Sequence, residues 1–233
     1  CIAEVAKGSE ALVHVTRGSI VESRHRASVV LCDAAGTVKA ATGNPECMTF
    51  WRSAAKPIQV LPLVAGGGVE RFGLQEQELA VMCGSHAAEE VHVTAVQSIL
   101  RRIGLSEEAL RCGAHPPMDR AAAEALVKAG ELPRPVHCNC SGKHAGVLSL
   151  TQLHGWPVEG YMEIDHPAGQ ATLEVFEILS GVSPAVMPVG FDGCGLFTVA
   201  LTIQAMATAY ARLAQPASLP EDLGKAAERV TLA

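Results

Sequence analysis

Aromatic side chains are scarce: five Phe, two Trp and two Tyr make up 4% of the 233 residues. Charged residues are also few, at 18%, and the formal net charge of -6 includes no dense block of Lys or Arg. Nucleic-acid binders need a basic face, and single-strand binders need aromatic platforms as well, so nucleic acid is not an expected partner. Nor is a membrane. The most apolar run, GLFTVALTIQAMATAYARLA, is broken by Thr198, Thr202, Gln204 and Thr208, whereas a spanning helix wants about 20 mostly apolar residues. It reads as a buried strand leading into a buried helix.

Other familiar signals are missing too. The chain begins at Cys1 without Met, and no charged segment followed by an apolar one stands near it, so the start reads as trimmed and no export signal is visible. Eight cysteines in such a chain are expected to be reduced thiols or part of a metal site, and the expected location is the cytoplasm. There is no fixed-period repeat and no low-complexity linker. The GGG at 66–68 lacks a following G-K-[ST] and reads as a flexible loop, not a phosphate cradle. No organic cofactor is expected.

What remains is 48% hydrophobic, mostly small aliphatic residues, enough for a sizeable core in one large domain or two modest ones. From Ala11 to Thr42, short β-branched runs alternate with turn signals; SVVLCD, AAG and TVKAATG read as a hairpin closed near Gly36. After Trp51 the pattern turns helical. LQEQELAVMCG is one helix; AEEVHVTAVQSILRRIG is another, with Val91, Ala95, Ile99 and Ile103 on one face and Gly104 as its stop. Ser106 reads as an N-cap. Asp119 to Gly130 has an acidic start and a terminal glycine, and Pro167 opens a helix over 167–179. A strand pair follows in PAVMPVGFDGCGLFTVAL. Sheet, helices and sheet again argue for an α/β or α+β mixed sheet with a helical region, as one continuous unit.

Three segments carry chemistry. In FWRSAAKPIQVLP, residues 50–62, Ser53 and Lys56 share a helix face. A serine hydroxyl needs a base, and a lysine serves only where burial or nearby positive charge lowers its pKa. Apolar neighbours and Arg52 supply both; the alternative is an N-cap serine beside a solvated lysine. In CGSHAAEEVH, Gly84 allows an unusual backbone angle before Ser85, which is either an N-cap or a second hydroxyl relaying protons in the same pocket. In HCNCSGKH, residues 137–144, thiols, imidazoles and an amine surround a Ser-Gly turn, and FDGCG adds Asp192 and Cys194. Three readings stay open here. One is an open metal site with Cys140, Cys194 and a third ligand from Lys143, His144 or Asp192; the second is buried thiols acting as small hydrophobes; the third is a labile disulfide.

Together SRHRASVVL, FWRSAAKPIQVLPLV, MCGSH, NCSGKHAG, DHPAGQ and GFDGCG resemble the Rhizobium-type bacterial L-asparaginases, the L-asparaginase II family, from about Ala11 to Leu213. The resemblance implies a fold similar to serine β-lactamases and glutaminases. It also implies hydrolysis of the L-asparagine side-chain amide to aspartate and ammonia, in a protein expected to be a homodimer. Carried over by position, Ser53 is the nucleophile, Lys56 its base and Ser85 the serine of a second serine-lysine pair. Cys140, Lys143 and Cys194 match metal positions, with zinc as the expected accessory ion, ordering or helping to bind substrate. Arg52, Asp192 and His144 are the expected substrate-binding groups. One feature departs: no K-T-G segment appears before Ala233, and Lys225 sits in a polar LGKAAER stretch. The 233 residues are therefore expected to be a single domain lacking its C-terminal portion. Rival readings are glutamine or β-lactam hydrolysis on the same scaffold, Cys1 as an N-terminal nucleophile, and a zinc-binding structural module without catalysis.

Overall fold

A computed structural model describes residues 11–233; Cys1 lies outside the described residues. Strands β1 (Ala11–Arg17) and β2 (Ile20–Arg26) form an antiparallel hairpin, and β2 is exposed along its whole length. β3 (Val29–Cys32) and β4 (Val38–Thr42) make the second expected hairpin, turning through Gly36 at φ +83, a conformation that glycine adopts without steric cost.

The third sheet positions the site. It has the order β5 (Met48–Phe50), β7 (Phe197–Thr202), β6 (Val189–Phe191), antiparallel throughout. β7 lies in the middle and its first five residues are buried, which explains its unbroken run of apolar residues and threonines. The chain leaves β5 through Trp51, whose N–H donates to Val199 O at 3.0 Å and whose ring packs on Phe176. It then enters a short 3-10 turn, Arg52–Ala55, and the helices α1 (Lys56–Gln59), α2 (Leu61–Ala65) and α3 (Gly68–Phe72). The expected flexible loop at 66–68 is a tight helical junction instead: Gly67 has φ +77, and a Cβ on Gly68 would fall 2.2 Å from Leu63 Cδ1.

Of the longer helices, those opening at Glu76, Glu90, Arg120, Pro167 and Ile203 follow expectation, and those opening at Ser141 and Glu221 were not expected. In chain order the longer helices are α4 (Glu76–Cys83), α5 (Glu90–Arg102), α6 (Arg120–Lys128), α7 (Ser141–His154), α8 (Pro167–Ser180), α9 (Ile203–Leu213) and α10 (Glu221–Leu232). Asp119 caps α6 by accepting from Ala122 N–H at 2.7 Å. The buried face of α5 is Val96, Ile99 and Leu100, followed by Ile103; Val91, expected on that face, is exposed. Its stripe follows the 3.6-residue repeat, which a strict four-residue step outruns. Ser106 precedes only a 3-10 turn, Glu107–Ala109, and its side chain caps nothing there.

HCNCSGKH does not hold a Ser-Gly turn. From Ser141 it opens α7, whose first 11 residues are all buried. A helix buried on every side sits at the centre of its domain. Gly142 makes that burial feasible, because a Cβ there would lie 2.1 Å from Val81 O on α4. Among the described residues no helix is long and apolar enough to cross a membrane.

Candidate active site

Four separate segments converge on one cavity of about 430 Å³, lined by Arg52, Ser53, His115, Asn139, Cys140 and Asp192 among others. The turn after β5 brings Ser53, the segment between α5 and α6 brings His115, the residues leading into α7 bring Asn139 and Cys140, and the β6–β7 turn brings Asp192 and Cys194; Ser85, Lys56 and Lys143 are not on its lining. A larger cavity of about 710 Å³ lies against α5 and α6 and contains none of the expected residues.

The turn that carries Ser53 is strained and braced. Arg52 has φ +54, which costs a residue with a side chain of order 1 kcal/mol or more. Its N–H donates to Thr198 Oγ1 on β7 at 3.3 Å, and the Tyr210 hydroxyl on α9 donates to Ala54 O. Ser53 is consequently held exposed to solvent at the opening of a helical run, where the first N–H groups lack preceding carbonyl partners.

Lys56 is not a solvated surface charge. It is 1% exposed, and its Nζ lies 2.9 Å from Gly84 O, 2.9 Å from Ser85 Oγ and 3.5 Å from Asn139 O. Ser85 Oγ in turn lies 3.0 Å from Ser53 Oγ. The amine thus reaches Ser53 through Ser85. Burial lowers the Lys56 pKa below the ordinary lysine value, with the Lys143 charge adding to the effect against the opposing pull of Cys140 and Cys194.

Ser85 is not a helix N-cap, since α5 begins at Glu90 with Glu89 as its cap. Gly84 takes an ordinary extended conformation (φ -131); the unusual angle falls on Ala88, at φ +61. His86 holds this segment. Its backbone N–H donates to Asn139 O at 3.1 Å, its Nδ1 accepts from Ala88 N–H at 3.2 Å, and its Nε2 donates to Ser141 Oγ at 2.8 Å. Ser141 passes the chain on to Val136 O at 2.9 Å.

The second half of the site is a charge cluster. Lys143 Nζ pairs with Asp192 Oδ2 at 3.0 Å, with side chains 2% and 9% exposed. Burial alone would lower the Lys143 pKa, but Cys194, Cys140 and Asp192 together outweigh it and raise the value. The Cys194 thiol contacts Cys140, and this contact together with burial pushes its pKa up. All seven described cysteines are free. His144 is fully buried, with Nδ1 2.7 Å from the Tyr161 hydroxyl; its Nε2 has no nitrogen or oxygen partner and interacts with the Cys194 thiol. It stands behind the cavity wall and not on it, because α7 turns that face into the core.

Two thiols, a lysine amine and a nearby carboxylate suit a zinc-type ion in kind and number, provided Lys143 gives up the proton that Asp192 now holds in place. Among the described residues no group of three or more His, Cys, Asp or Glu side chains is placed to hold a metal, so the lysine is indispensable to such a site.

The sequence reading missed His115 and Asn139. His115 Nε2 accepts from Asn139 N–H at 3.1 Å while Nδ1 donates to Pro116 O at 2.8 Å, which pins the backbone before Cys140. The available signal was the turn-rich stretch CGAHPP between two helices.

A family model described as L-asparaginase II matches residues 13–233. The chain belongs to the L-asparaginase II family. It is accordingly an amidohydrolase of the asparaginase type. No curated protein gives a significant match. At this cavity of the asparaginase stand an exposed hydroxyl, a buried amine linked to it by hydrogen bonds through Ser85, and charged side chains of both signs.

Proposed function

We propose that the chain hydrolyses the side-chain amide of L-asparagine, with Ser53 as nucleophile and Lys56 as a base acting through Ser85. The observation that carries this reading is the unbroken run from Lys56 Nζ through Ser85 Oγ to Ser53 Oγ, at 2.9 and 3.0 Å, ending at the cavity. In the structure Lys56 Nζ donates to Ser85 Oγ and Ser85 Oγ donates to Ser53 Oγ; once Lys56 is neutral, with its two N–H bonds directed at Gly84 O and Asn139 O, both hydroxyls rotate so that Ser85 donates to the amine lone pair and accepts from Ser53. Ser53 attacks the amide carbonyl as its proton moves to Ser85 and the Ser85 proton moves to Lys56. The same path, run backwards, protonates the departing ammonia.

The Ser53 N–H, at the helix opening, suits the developing oxyanion; loss of one such donor typically costs about 100-fold or more in rate. Arg52 would take the substrate carboxylate, and Asp192, through the oxygen not held by Lys143, its ammonium. A zinc ion held by Cys140, Lys143 and Cys194 would supply fixed positive charge to this wall when bound. The family-implied likeness to serine β-lactamases is supported by the serine-lysine turn lying between an antiparallel sheet and a buried helix, and the single-domain reading by one core cluster running from Trp51 to Val230.

Ammonia release from L-asparagine, with L-glutamine alongside, tests the reading on this chain and on a version extended at its C-terminus. Activity that vanishes in Ser53→Ala, Ser85→Ala and Lys56→Met supports it. Full activity in Ser85→Ala would remove the relay, and full activity in Ser53→Ala would remove the nucleophile.

A further inference from the structure

Lys56 is held in part by a backbone carbonyl far from it in the chain. Asn139 O accepts from Lys56 Nζ at 3.5 Å and from the backbone N–H of His86 at 3.1 Å. One carbonyl thus touches both the amine and the residue next to Ser85. Its place matters because a neutral amine on a lysine has only two N–H bonds. While Gly84 O and Asn139 O take them, the lone pair is left to the Ser85 hydroxyl. If Asn139 O moves away, an N–H can turn to Ser85 and the lone pair turns from it. The place of Asn139 rests in turn on His115. The Asn139 N–H donates to His115 Nε2 at 3.1 Å, and His115 Nδ1 donates to Pro116 O at 2.8 Å. A backbone N–H can only donate and a carbonyl can only accept, so these two partners call for the neutral imidazole with its proton on Nδ1. The loop around it is stiff: Gly113 turns at φ +73, and Pro116 and Pro117 restrict the backbone that follows.

Resting on the serine-lysine reading above, we propose that His115 is a positioning residue for the hydrolysis: by accepting from the Asn139 N–H it holds the Asn139 carbonyl that aims the Lys56 lone pair at Ser85. His115 lines the cavity together with Ser53 and Asp192, where an imidazole invites reading as a base or a substrate ligand. Both of its nitrogens are already committed, so the ring offers the cavity only carbon. No bond of the substrate is made or broken at His115. What it supplies is placement. Moving a catalytic group by about 1 Å can cost about 100-fold in rate, and the contact from Lys56 to Asn139 O, at 3.5 Å, already stands near the outer limit of a hydrogen bond. A small shift of Asn139 is therefore enough to release that N–H and turn the amine.

Three substitutions separate the two hydrogen bonds of the ring. In His115→Gln the amide oxygen stands as far along the side chain as Nε2 and can accept from the Asn139 N–H. In His115→Asn the amide nitrogen stands where Nδ1 does and can donate to Pro116 O, but nothing reaches Asn139; His115→Ala keeps neither bond. Ammonia release from L-asparagine is measured for each, with urea unfolding alongside, in the length of chain that is active as wild type. kcat is expected to fall about tenfold in His115→Ala and His115→Asn with KM within about twofold of wild type, and to return to within about threefold in His115→Gln. A general loss of packing would not follow the place of one oxygen atom. If His115→Ala fails to fold, the comparison of Asn with Gln decides. An unchanged kcat in folded His115→Ala or His115→Asn, a loss confined to KM, an equal loss in all three, or rescue by Asn and not by Gln would each overturn the positioning role; an inactive Lys56→Met would then leave the relay standing. Full activity in Lys56→Met, or a wild type that releases no ammonia at either length, would overturn the relay and the role of His115 together.

Discussion

Acidification should destabilise this protein through His86 in particular. Its Nδ1 already accepts from Ala88 N–H, so protonating that nitrogen sets two donors against each other. Burial, followed by the charges of His92, Lys56, His115 and His137, pushes its pKa from 6.5 down to about 4. Between those two values the unfolded chain binds a proton that the folded one refuses, so stability rises with pH across the window and is lost as pH falls from 6.5 towards 4. A fall from 6.5 to about 4 corresponds to about 3 kcal/mol, a large part of the stability of a typical domain. Urea unfolding at several pH values from 7 to 4 would measure it in the wild type and in His86→Gln. The variant should start about 1 kcal/mol less stable at pH 7 for want of a hydrogen bond, and as pH falls the two curves should meet below pH 6.5 and cross, leaving the wild type about 2 kcal/mol the less stable near pH 4. Carboxylates titrate alike in both proteins and cancel from the difference. A difference that stays constant between pH 4 and 6.5 would refute the assignment of the window to His86.

Lys56→Met should cost at least about 1,000-fold in kcat, as loss of the base does in related relays. It should leave urea stability within about 2 kcal/mol, because unpaired carbonyls at Gly84 and Asn139 are offset by removal of a buried amine. Gly142→Ala should destabilise by about 3 kcal/mol or more in thermal melts, since its methyl would fall 2.1 Å from Val81 O. Tyr210→Phe removes the hydroxyl that holds Ala54 O; kcat should fall by about tenfold with KM little changed, a loss of roughly 1.4 kcal/mol, and equal activity would dismiss the brace. Cys194→Ser should weaken zinc binding in equilibrium dialysis, while chelation of the wild type should leave its circular dichroism intact; unfolding on chelation would instead make the metal structural.

Much of this molecule is legible in the chain itself. The hairpin at Gly36, the helices ended by Gly104, Gly130 and Gly181, and the strand-to-helix passage over 197–213 follow from local rules of periodicity and capping, which depend on neighbours a few residues away. The scarcity of charge and aromatics argued against nucleic acid, and six short segments pointed to the family. Tertiary structure decided the rest. Whether Lys56 is solvated or buried depends on Gly84, Ser85 and Asn139, which are 28 to 83 positions distant, and no local pattern records that approach. Likewise only packing shows that Ser85 stands between Ser53 and Lys56, that Thr198 and Tyr210 brace the strained Arg52 turn, and that α7 turns His144 inward behind the thiols. Sequence spacing sets which residues share a helix face; distances between hydroxyls and amines from separate elements are set by how closely those elements pack, here by glycines such as Gly142.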